Sequence, residues 1–206
     1  MNKALRLCWV GFLFLAAIGV TAFLLGGFGN QGINFGQRVH LGGTPSWVYA
    51  LAGQVTNQPI LLAMVTNQYG LFLAYASDGQ HAAEWFQGPL DGTTVDLTNS
   101  DGSHFRATLT ARDAEGMLTL PGGAPLAFKM DLATKPAGLY RAKDEVNGVA
   151  YLAGWVLLAD GRQAGIIEND AQQLITAPRL DPAHPTISLP GGGALTPQLV
   201  TPDSDL

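Results

Sequence analysis

The residues whose types could do chemistry are few and scattered. Four histidines, His40, His81, His104 and His184, are spread along the chain, and none stands in a His-x-x-x-His or His-Glu-x-x-His spacing. A zinc site needs ligands repeated on one face of an element, so no metal is expected. Asp101-Gly102-Ser103-His104 gathers the residue types of a hydrolytic triad into four consecutive positions. Triads are assembled from separate elements, however, and neighbours on a strand point to opposite faces. The same residues read more simply as a turn leading into a strand. No Gly-x-Ser-x-Gly elbow, phosphate loop or dinucleotide fingerprint occurs, and the Asp96–Asp101 stretch departs from a calcium loop. No cofactor is expected.

A glycosidase requires two carboxylates across a cleft. Glu115, Glu145 and Glu168 adjoin turns, whereas Glu84 lies among aromatics in Ala83-Glu84-Trp85-Phe86. Glu84 reads either as a recognition carboxylate beside a tryptophan platform or as the wet side of an alternating strand. The remaining candidates are aromatic. Trp47, Trp85, Phe86, Tyr140 and Trp155, with Glu84 and Arg162, form a candidate binding surface at a barrel mouth or docking patch. Core packing is the competing reading for each aromatic.

The elements that must position these residues are strands. From Ser46 onward short apolar runs are cut by turn residues, and no helical period appears. Phe105, Ala107 and Leu109 alternate with His104, Arg106 and Thr108; Leu126, Phe128 and Met130 alternate with Ala127 and Lys129. Such strands are buried on one face and wet on the other. Leu71–Ala76 and Val149–Leu158 are apolar at successive positions, which predicts strands covered on both faces. Val-Thr-Asn-Gln recurs at Val55 and Val65, the spacing of consecutive hairpin turns. Asp-Gly pairs at Asp78, Asp91, Asp101 and Asp160 mark further turns, because glycine adopts positive φ without penalty. The fold class is all-β, an antiparallel meander of roughly eleven strands up to Ala177, closed as a sandwich or a barrel. A barrel of eight strands is wide enough to enclose a small apolar ligand, and Leu71–Ala76 with Val149–Leu158 would line it.

Around this domain the composition changes. Leu7–Phe28 is an uncharged apolar run between Arg6 and Arg38, long enough to cross a bilayer as one helix. Lys3 and Arg6 before it place the N-terminus in the cytoplasm and the domain outside. Val20-Thr21-Ala22 offers a signal-cleavage site, so anchor and removed signal peptide both stand, and either exports the domain. The only cysteine, Cys8, lies in this run, which leaves the exported part without disulfides. Residues 29–45 are a glycine-rich tether, residues 46–177 the extracytoplasmic domain, and residues 178–206 a proline-rich tail with a possible edge hairpin from Thr186–Leu189 and Leu195–Val200. The extreme end is expected to fray. Beyond residue 38, eight Lys or Arg face sixteen Asp or Glu, a formal charge of −8. Without a basic cluster, nucleic acid is excluded as a partner.

Ala137-Gly138-Leu139-Tyr140-Arg141-Ala142 and Gly154-Trp155-Val156-Leu157-Leu158-Ala159-Asp160-Gly161-Arg162-Gln163-Ala164-Gly165 resemble a pattern in uncharacterised secreted or membrane-anchored proteins of actinobacteria. The resemblance spans about Ala50 to Val200 and implies an exported β domain without a transferable activity. The signature also has a physical reading: a strand apolar on both faces enters an Asp-Gly turn, and Arg162 leaves it positioned to pair with Asp160. The expected function is a non-catalytic, membrane-anchored binding or assembly module of the cell envelope. The alternatives are a barrel carrier of a small apolar ligand and a hydrolase using Glu84, or Ser103 with His104.

Overall fold

The computed structural model describes residues 49–204 and 206. Leu7–Phe28, the tether, Cys8, His40 and Trp47 lie outside the described residues. Among the described residues no helix is long and apolar enough to cross a membrane.

Eight strands run as a meander: β1 (Ala50–Val55), β2 (Leu61–Thr66), β3 (Leu71–Ser77), β4 (Ala83–Pro89), β5 (Thr94–Thr98), β6 (His104–Leu109), β7 (Asp113–Thr119) and β8 (Leu126–Leu132). Each pairs antiparallel with its chain neighbour except β4 with β5, and β1 returns to pair with β8 over Leu51–Leu132 to Val55–Phe128. The result is a nearly closed barrel whose one seam without ladder pairing runs between β4 and β5. The sequence dictates the turns. Asn57 takes positive φ in the first, Asn67 Oδ1 accepts the Tyr69 and Leu71 amides in the second, and Gly79, Gly92 and Gly102 take positive φ in the Asp-Gly turns. Alternation then sends every second residue inward. Phe72, Phe86, Phe105 and Phe128 meet there with ring centroids 5.0–6.2 Å apart, and Leu62, Met64, Leu118 and Met130 fill the rest. The barrel axis is a packed core.

A second sheet orders β12 (Leu174–Thr176), β11 (Gln163–Asn169), β10 (Val149–Leu157), β9 (Gly138–Val146) and β15 (Gln198–Leu199). One face lies on the outer wall of the barrel, where Leu139, Val156, Leu158 and Ala164 meet Leu61, Ala63, Val65, Leu73 and Tyr75. Gly154 makes this approach possible, because a Cβ there would sit 2.7 Å from the Trp85 and Tyr75 rings. The other face is covered by the C-terminal segment: Leu180, Ile187, Leu189 and Leu195 close over Tyr140, Ala153, Trp155 and Ile167. Barrel and layered sheets therefore coexist. β3 and β10 are covered on both faces as their composition requires, one by barrel interior and second sheet, the other by barrel wall and C-terminal segment.

The tail differs from a simple edge hairpin. β13 (Ile187–Ser188) pairs with β14 (Ala194–Leu195) as a separate two-stranded sheet, while Gln198–Leu199 leaves it to pair with Arg141 and Tyr140 of β9. The end does not fray freely either. Thr201 N donates to Ser204 Oγ at 2.8 Å, and Leu206 packs against the barrel–sheet core. Proline cannot donate to a ladder, so side chains supplement the short main-chain pairing of this segment. Trp155 Nε1 donates to Pro178 O at 3.0 Å, and Gln163 both accepts from Leu180 N at 2.7 Å and donates to its carbonyl.

Candidate functional site

The structure separates the candidate residues into three environments. Phe86, Tyr140 and Trp155 are core residues and belong to no surface. Phe86 points into the barrel, Trp155 lies between second sheet and tail, and Tyr140 spends its hydroxyl on Pro136 O at 2.9 Å. Alternation on β4, β9 and β10 puts each on a covered face. Trp85 points outward from the barrel but is covered there, packed at a tilt against Tyr75 with ring centroids 4.3 Å apart, beneath Gly154. Glu84 and Arg162 keep contact with solvent, at opposite sides of the molecule's two seams.

Glu84 shares the inward face of β4 with Phe86 and stands where β4 passes β5. The turn between β5 and β6 rises against it. Ser103 is fully buried, its amide and hydroxyl both donate to Asp101 Oδ1 at 2.8 Å, and Asn99 Nδ2 donates to Ser103 Oγ and to Trp85 O. Burial, then the Asp101 charge, push Glu84 up to about 7, and Glu168 on β11 adds to the same direction. Glu168 is itself raised by burial. On the outer wall, against the second sheet, the Tyr75 hydroxyl is buried near Ser77 and the Ile166 main chain without a hydrogen bond of good geometry to either, and burial raises its pKa.

Ser103 and His104 diverge as strand neighbours must. Ser103 faces the barrel interior, and His104 Nε2 lies 2.7 Å from Asp96 Oδ1 on the outer wall. His81 pairs with Asp78 and His184 with Asp181, both on exposed loops. Among the described residues no group of three or more His, Cys, Asp or Glu could hold a metal ion.

Arg162 has the role its spacing indicates. Its Nε meets Asp160 Oδ2 at 2.8 Å, and the Arg162 amide and guanidinium hold the Asp160 carboxyl below the usual range. Its Nη1 also reaches Gln54 of β1. Here the outer wall of β1 and β8 and the β10–β11 turn enclose a cleft of about 560 Å³. Ala52, Gly53, Ala133, Ala137 and Ala159 leave the floor low, and Lys129, Asp131, Asp160 and Arg162 line it with balanced charge. Reasoning from the sequence missed Asn99 and this cleft, and named Asp101 only as a turn residue and in a triad-like run. The Asp-Gly turn marked Asp101 as a bend, but only the barrel's closure brings that bend to Glu84.

No protein-family model, curated protein or solved structure matches the chain.

Proposed function

We propose that the chain is a non-catalytic binding and assembly module of the cell envelope, held at the membrane by Leu7–Phe28 with its β domain outside. The observation that carries the reading is the cleft beside Arg162. Its volume suits a bound segment or small molecule, two rigid sheets form its walls, and its charges balance on an otherwise acidic domain. A partner's side chain or end group would find both signs of charge within reach. The carrier reading draws less support, because four phenylalanines occupy the barrel axis. The hydrolase reading draws less as well, because Ser103 and His104 face opposite ways.

Co-purification after mild detergent extraction tests the proposal. A partner should accompany the wild-type protein and be lost from Arg162→Glu, which keeps the scaffold and inverts one wall of the cleft. Recovery of the wild type alone and monomeric overturns it, as does equal recovery of the partner with Arg162→Glu.

A further inference from the structure

We infer that the barrel end through which the chain enters is a membrane-docking face, seated on the interfacial zone of a phospholipid bilayer with Tyr69 as its leading side chain. The inference rests on the reading of Leu7–Phe28 as an anchor, and adds which end of the domain meets lipid. Main-chain hydrogen bonds define this end. Thr66 N donates to Tyr49 O, Ala133 N to Ala50 O, Leu132 N to Arg112 O and Leu90 N to Gly70 O. These gather the β2–β3, β4–β5 and β6–β7 connections and the exit of β8 around Tyr49, the first described residue.

Three of the four large apolar side chains left exposed among the described residues stand at this end: Tyr69 at 79%, Leu132 at 45% and Leu71 at 38%. Leu71 lies opposite the exposed Pro89 in the β3–β4 ladder, which extends the apolar rim from Tyr69 to β4. Leu132 stands three strand spacings from Leu71, about 14 Å, across β2 and β1. The turn under Tyr69 is rigid. Asn67 is buried, its Oδ1 accepts the Tyr69 and Leu71 amides at 3.0 Å each, and its carbonyl accepts from Gly70 N. A side chain presented on a pinned turn loses little ordering entropy on docking. Tyrosine suits the bilayer interface, with its ring at the acyl boundary and its hydroxyl among the headgroups. The charges agree. Connections 67–70, 90–93, 110–112 and 133–137 at this end hold Arg112 and Lys135 against Asp91. At the opposite end, connections 56–60, 78–82, 99–103 and 120–125 hold Asp78 and Asp101, without Lys or Arg and without an exposed large apolar side chain. An anionic leaflet attracts the first set and repels the second. Tyr49 is also the described residue nearest in sequence to Phe28, so an inserted anchor makes the rim's contact with lipid intramolecular and a weak apolar contact sufficient.

Spin labelling of the full-length protein, in vesicles of phosphatidylcholine and phosphatidylglycerol in equal parts, tests the docking. In a Cys8→Ser background a nitroxide is attached through Gln68→Cys beside Tyr69, or through Ala124→Cys at the opposite end, both exposed positions. Relaxation by oxygen, which concentrates in lipid, relative to relaxation by a water-soluble nickel complex should be about tenfold higher at 68 than at 124. Adding Tyr69→Asp should return the ratio at 68 toward that at 124, and an unchanged ratio overturns the leading place given to Tyr69. Flotation of the vesicles separates the two readings. Protein that does not float overturns anchor and docking together. Protein that floats with equal ratios at 68 and 124 leaves the anchor standing and overturns the docking. Shielding of the label at 68 from both reagents, or spin–spin coupling between two labels at 68, overturns it as well, because a protein surface or a second copy then covers the rim.

Discussion

The barrel closes on itself along two seams, and the two are built differently. Between β1 and β8 five successive residue pairs continue the ladder, from Leu51–Leu132 to Val55–Phe128. Between β4 and β5 no ladder forms, and the Asn99 side chain, donating to Trp85 O, stands in the place of main-chain pairs, with Glu84 half-buried beside it. Main-chain hydrogen bonding hardly depends on pH, whereas a half-buried carboxyl such as Glu84, pushed up by burial, does. The first seam is therefore a fixed wall, and the cleft with Arg162 is set against it. The second is the place where solution conditions can act on the fold.

This contrast can be broken or sharpened by substitution. The largest effect is expected from Phe105→Ala, which empties the ring cluster against Phe86 and Phe128 just inside the side-chain seam. A loss of about 3–5 kcal/mol is expected by chemical denaturation. Gly53→Ala attacks the laddered seam, since a Cβ there would lie 1.9 Å from Lys129 O, a main-chain atom with no freedom to yield. About 2–3 kcal/mol should be lost, with little change between pH 5 and 8. Glu84→Gln distinguishes the seams by sign. Folded Glu84 keeps its proton up to about 7, against an ordinary 4.5 in the unfolded chain. Folding stability therefore falls as pH rises from about 4.5 to about 7, and the whole penalty persists above that. The variant should be more stable than the wild type by about 1–2 kcal/mol at pH 8, allowing for partial exposure, and nearly equal to it at pH 4.5. Thermal melts at both values read this directly. Asn99→Ala removes one cross-seam hydrogen bond and should cost about 1 kcal/mol in the same melts. Arg162→Ala should be the mildest, below about 1 kcal/mol, because its ion pair with Asp160 is exposed.

Local chemistry made most of the strands legible. Alternation at Phe105, Ala107 and Leu109 marked the inward face of β6, and both Val-Thr-Asn-Gln copies became hairpin turns. The doubly apolar runs at Leu71 and Val149 became the two strands covered on both sides. Arg162 and Asp160 are two residues apart, and their pairing could be read off directly. Trp85 and Asn99 are fourteen apart on elements that share no ladder, and no local pattern records that contact. The aromatics were ambiguous for a different reason. A tryptophan or tyrosine suits a core and a binding surface equally well, and burial depends on what covers the strand. For Tyr140 and Trp155 the cover is the proline-rich tail, whose own sequence contains no strand long enough to announce a layer.

The laddered seam also sets the order in which the chain can fold. β2 to β4 and β6 to β8 each find their partner within a hairpin, but Leu51 must wait for Leu132, the better part of the barrel later in the sequence. In a chain synthesised from its N-terminus, β1 pairs with β2 early and holds its other edge open until β8 arrives. Closure entropy over so long a separation makes that pairing the slow, non-local event. The rate of barrel formation should therefore follow the β1–β8 edge, while the β4–β5 edge, which never forms a ladder, contributes little to the barrier.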